Sequence, residues 1–130
     1  MNKKDILNYW LKSSDNDYKT MLNLIKSKDY HWALFMGHLV IEKLLKAYYI
    51  KNIGSNIPFI HDLLRIAEKA NLSLSDIQKD ILDLITTFNI KARYDDYKLE
   101  FYNKCTKKFT DESIKKIKEM RKWLTAQLKK

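Results

Sequence analysis

The chain has 130 residues, 45% of them hydrophobic, which is the size of one domain able to bury its own core, and it carries a net charge of +9. Two Gly and one Pro leave few turn-formers for a many-stranded sheet, so an all-α architecture in a single domain over residues 1–130 is expected. No run nears the ~18 to 20 continuous apolar residues of a membrane span, no apolar signal core follows residues 1–5, and Cys105 stands alone, which excludes an intrachain disulfide or a cysteine-cluster zinc site; a cytoplasmic protein is expected, with no membrane association.

Lys3 to Lys26 reads as a first helix, with Ile6, Leu7, Trp10, Leu11, Tyr18, Met21, Leu22 and Ile25 on one broad side. Asp17 falls on that side, between Trp10 and Met21, rather than with Asp15 and Asn16 on the wet one. Such a carboxylate either finds a cation or sits at the margin of the arc and reaches water. Ser27-Lys28-Asp29 breaks the pattern, Asp29 is placed to cap the next helix, and the short connection makes the two helices antiparallel neighbours.

His31 to Lys51 is apolar around most of its circumference, as befits a helix with neighbours on several sides. His38, Glu42 and Lys46 nevertheless recur every four residues, one above the other on a single strip. That ladder either faces a neighbouring helix, to fix alignment or receive Asp17 or an arginine, or is the solvated strip of a partly exposed helix. Asn52 to Ile60, with Gly54 and Pro58, is a loop, and His61-Asp62-Leu63-Leu64 opens a short helix to about Ala70. Asp62 and, in part, His61 suit the capping of its N-terminus.

Ser75 and Gln78 have capping-box spacing ahead of a helix with Ile77, Ile81, Leu84, Ile85, Phe88 and Ala92 on one face. Arg93, one of three arginines, ends it and introduces Arg93-Tyr94-Asp95-Asp96-Tyr97. The run reads either as a phosphate- or base-contacting cluster or as an arginine tied to a carboxylate such as Asp17 or Glu42. From Lys98 to Phe109 the periodicity fades into a loop with room for one helical turn. Thr110 is then placed as the cap of a final helix to about Leu128, whose seam is Ile114, Ile117, Met120, Leu124 and Leu128, with Trp123 pointing the other way among lysines. Residues 91–130 hold 13 basic and 6 acidic side chains against 12 and 10 in residues 1–90, a surface that attracts phosphates, RNA or acidic protein; with 22 Lys to 3 Arg it equally reflects a compositional bias. No glycine-rich phosphate loop or His-x-x-x-His metal spacing occurs, and no cofactor or metal is expected.

Asp17, the run His38-Leu39-Val40-Ile41-Glu42-Lys43-Leu44-Leu45-Lys46-Ala47, then His61-Asp62-Leu63, and finally Arg93-Tyr94 together resemble the HEPN (higher eukaryotes and prokaryotes nucleotide-binding) domain family over roughly residues 3 to 127. The resemblance implies an up-and-down four-helix bundle with an additional short helix, a homodimer, and a polar cleft for nucleotide or RNA binding, for which Asp17, His38, Glu42, Lys46, Arg93, Tyr94 and Tyr97 are the candidates. It also implies a minimal nucleotidyltransferase partner in a toxin-antitoxin-like pair. Members that cleave RNA without a metal carry a histidine a few residues after the arginine. Arg93 matches the arginine, but residues 94–100 hold no histidine, and an arginine alone does not exchange protons. A non-catalytic binding and interaction module is therefore the leading expectation, and a metal-independent ribonuclease toxin using Arg93 is the alternative.

Overall fold

A computed structural model describes residues 2–94 and 99–130, in which six helices account for all regular structure: α1 (Lys3–Lys26), α2 (Tyr30–Asn52), α3 (Leu63–Lys69), α4 (Asp76–Arg93), α5 (Glu100–Lys104) and α6 (Lys107–Leu128). Four long helices form the bundle and two short ones fill its corners, so the expected all-α bundle holds with a second short helix added. None of the described helices is long and apolar enough to cross a membrane.

α2 is the central rod. It packs against α1, α3, α4, α5 and α6, which is why its apolar residues run around most of the circumference. Leu34, Ile41, Leu45 and Ile50 are fully buried on it, and the first three share one core with Met21 of α1, Leu63 and Ile66 of α3, Leu82, Ile85 and Phe88 of α4, and Ile117 and Leu124 of α6. Gly37 faces α6 at close quarters: a Cβ there would collide with the end of the Ile117 side chain and touch Met21 Sδ. A methyl group there requires the Ile117 side chain to move.

The helix ends are set locally. Lys28 takes a left-handed φ of 65° in the tight link between α1 and α2, a conformation that costs a residue with a Cβ about 1–2 kcal/mol. Asp29 precedes α2 but its carboxylate accepts from the Ser27 hydroxyl and makes no cap to the helix amides, contrary to the expectation from sequence. Asp62 caps α3 by accepting from the Arg65 amide, and Ser75 and Gln78 form the reciprocal capping box of α4. The last helix begins a turn earlier than expected: Thr106 is the cap, accepting from the Phe109 amide, and Thr110 is buried inside α6. Phe109 lies edge-to-face on Phe88, 6.3 Å between centroids, so the extra turn places an aromatic ring on the core. Trp123 is half-buried against the same core rather than facing away from it.

Candidate functional site

The ladder on α2 is buried, and it organises the polar interior. His38 has no accessible surface, Glu42 is 4% exposed and Lys46 is 8% exposed. Two turns of one helix thus carry three ionisable side chains under the surface, a costly arrangement unless each finds partners. Glu42 supplies most of them. Its Oε2 accepts from Lys46 Nζ at 3.2 Å, and its Oε1 accepts from His61 Nδ1 at 2.7 Å.

His61 completes the cluster from outside α2. It stands just before α3, and its backbone carbonyl accepts from His38 Nε2 at 3.1 Å while its ring reaches Glu42. With the proton on Nε2, His38 Nδ1 is a bare acceptor, buried and unpaired among the described residues. Burial holds the His38 imidazole below its ordinary value of 6.5; the His61 carbonyl and Glu42 oppose that shift, and the positive charge of Arg93 reinforces it. The ring is therefore neutral at pH 7, and its 3.9 Å approach to Glu42 is a contact rather than an ion pair.

Arg93 lies at the exposed end of the same region, where α4 terminates. Its Nε donates to the Asn89 carbonyl at 3.1 Å, and its guanidinium sits 5.5 Å from the centroid of Phe35 and 5.1 Å from that of Tyr94. Among the described residues no carboxylate lies within salt-bridge distance of it. A planar cation held by aromatic faces, paired with no carboxylate of the described residues, is suited to a phosphate or another planar acceptor.

The expected meeting of Asp17 and Glu42 with this guanidinium does not occur. Asp17 Oδ2 pairs instead with Lys43 Nζ at 2.6 Å, and Lys43 also donates to Ser13 Oγ at 2.7 Å. Lys43 is one residue past Glu42 and so about 100° around the helix; the α1–α2 seam and the His38–Lys46 ladder are separate strips. Asp17 therefore staples α1 to α2 and lies apart from the cluster. His61, expected as a cap, leaves that work to Asp62 and binds Glu42. Tyr94 is exposed beside Arg93. Tyr97 lies outside the described residues, as do Asp95 and Asp96. Phe35 and Asn89, which hold Arg93, were not legible as site residues: each reads as an ordinary member of a helix face.

Among the described residues no group of three or more His, Cys, Asp and Glu side chains is arranged to hold a metal ion. The two histidines around Glu42 spend their facing nitrogens on hydrogen bonds within the cluster.

The all-helical bundle is the fold that the sequence resemblance implied, while the closure of the His38–Glu42–Lys46 ladder by His61 and the separation of Asp17 from it are not. The HEPN domain family profile matches residues 7–128, nearly the whole chain, and the protein belongs to that family. Comparison with curated proteins and with solved structures gave no significant match.

Proposed function

We propose that the protein is a non-catalytic nucleotide- or RNA-binding and interaction module that pairs with a second copy of itself and acts beside a minimal nucleotidyltransferase in a toxin-antitoxin-like pair. The observation that carries the binding part is Arg93: an exposed guanidinium held against Phe35 and Tyr94, without a carboxylate partner among the described residues, in a chain of net charge +9. Aromatic faces next to a planar cation suit a phosphate with a base stacked nearby. The non-catalytic part is supported by His38. It is the histidine on which the Arg93 charge acts, yet it is sealed from solvent, held neutral, and donates its proton to a backbone carbonyl. A proton carrier for RNA cleavage must reach the substrate.

The test is to determine the mass in solution, alone and with a co-encoded nucleotidyltransferase, and to titrate ATP, GTP and a short RNA by calorimetry. A dimer that binds at least one of them and leaves the RNA intact is expected. A monomer that binds none, with or without the second protein, contradicts the proposal.

One observation favours the ribonuclease reading. The His61 side chain is 62% exposed and its Nδ1–H is fixed on the buried Glu42, so Nε2 faces outward as a base oriented by a carboxylate. On this reading Arg93 clamps the phosphate and His61 moves the proton. Cleavage of RNA in EDTA that disappears in both Arg93→Ala and His61→Ala would establish it; intact RNA disposes of it.

A further inference from the structure

The lower end of the ladder opens on a feature that the Arg93 site does not use. Lys46 forms part of the lining of a cavity of about 400 Å³ between the start of α1, α2 and the loop over residues 53–60. Its walls are mostly apolar, with Tyr9 and Trp10 from α1, Ile57 and the fully exposed Phe59 from the loop, and Ser55 and Asn56 at the side. Tyr9 and Trp10 meet at 90° with centroids 5.3 Å apart, which fixes the indole as a flat wall. A space of this volume holds a small organic molecule.

The lysine is the unexplained part. An ammonium group has three N–H donors. Glu42 accepts from one, the Trp10 ring centroid lies 5.4 Å away, and among the described residues Nζ makes no other hydrogen bond. A buried cation with donors left over is expensive, and this one lies in the lining of an apolar cavity rather than in the core. The counter-group it calls for is an anion that arrives with a ligand.

We propose that this cavity binds a small aromatic monocarboxylate, with the carboxylate on Lys46 Nζ and the ring between Trp10 and Phe59. A monoanion is selected because Lys46 is the only cationic residue of the lining and already shares its charge with Glu42; a phosphate dianion would meet that carboxylate with nothing further to neutralise it. A flat ring is selected by the Trp10 wall. Arg93, Phe35, Asn89 and Tyr94 are all absent from the lining of this cavity, so the two sites share no residue and the inference does not rest on the nucleotide reading.

Calorimetric titration of the full chain with indole-3-acetate and with its neutral amide, indole-3-acetamide, tests it. The acid binds at least about tenfold more tightly than the amide, the factor expected for one charge-assisted hydrogen bond. Lys46→Met keeps the length of the side chain and abolishes the preference, while Phe59→Ser, a change at a fully exposed position that leaves the fold intact, weakens both ligands. Equal affinity for acid and amide overturns the proposal, as does failure of both to bind at millimolar concentration, or a preference that survives Lys46→Met. Should Lys46→Met not fold, the acid-to-amide ratio in the wild type and the loss in Phe59→Ser decide the matter alone.

Discussion

The Nδ1–H of His61 donates to Glu42 Oε1 across 2.7 Å, and this one bond ties the segment ahead of α3 to the middle of α2. The same residue accepts from His38 through its carbonyl, so the chain at His61 is pinned twice to the ladder. With its side chain 62% exposed, the ring contributes less than a buried partner would. His61→Ala should cost about 1 kcal/mol, and the amides of residues 53–62 should exchange faster in hydrogen-exchange measurements while those of α2 and α6 keep their protection. Unchanged exchange in that loop would mean the carbonyl contact alone holds it.

Glu42 is the hub, and its value is contextual. Removing one partner from a buried ion pair leaves the other charge uncompensated, so Glu42→Leu should lose about 3–5 kcal/mol in urea denaturation. The double variant Glu42→Leu/Lys46→Met removes both charges and should recover a large share of that loss. Additive losses in the double variant would show that Glu42 and Lys46 do not act as a pair.

His38 predicts an acid limit. Its folded-state pKa lies below the ordinary 6.5, so between those two values the unfolded chain binds the proton and the folded chain does not. This group therefore leaves stability unaffected above pH 6.5 and lowers it progressively as pH falls below 6.5 toward the folded value. The groups that act on it are Glu42, His61 and Arg93. Urea denaturation at a series of pH values from 7.5 to 5.5 should show a decline in the wild type that is smaller in His38→Asn. Parallel declines would place the titrating group elsewhere.

At the α2–α6 crossing, Gly37→Ala gains helix propensity of about 1 kcal/mol and must displace the Ile117 side chain, which is fully buried. Overpacking of this kind costs about 1–3 kcal/mol, so a net loss is expected in thermal or urea unfolding. Ile117→Val removes the atom that the new methyl meets and should restore stability in the Gly37→Ala background, although by itself it opens a small cavity. A double variant no better than Gly37→Ala would contradict this packing.

The bundle was legible in the sequence because helical periodicity, few turn-formers and capping signals agree. Ser75 with Gln78 and Asp62 did what their spacing implies. The start of α6 was misread because Thr110 is followed by Asp111 and Glu112, which suit a first turn, whereas Thr106 is followed by two lysines; the packing of Phe109 on Phe88 accompanies the earlier start. The ladder His38–Glu42–Lys46 was visible as a four-residue recurrence, but whether it was wet or buried depends on α3 and the loop before it, which periodicity does not position. Asp17 was correctly an anomaly with the wrong partner: Lys43 and Glu42 are adjacent in sequence, and the choice between their strips is set by how α1 lies on α2. The His61–Glu42 bond joins residues 19 apart through a loop, and no local pattern encodes it.

Arg93 should be a binding residue with little structural weight, since it is exposed and its one hydrogen bond among the described residues is to Asn89 in its own helix. Arg93→Ala should shift unfolding by no more than about 0.5 kcal/mol. Arg93→Lys should not restore ligand binding, because a lysine keeps the charge and loses the planar face that lies against Phe35 and Tyr94.

The most direct test is fluorescence anisotropy of a short end-labelled RNA titrated with wild type and Arg93→Ala in EDTA at two salt concentrations, followed by a gel of the same samples. The account predicts intact RNA throughout, binding by the wild type that weakens with salt, and a variant about tenfold weaker with a shallower salt dependence. Equal binding by the two proteins, or RNA cut by the wild type, would contradict it.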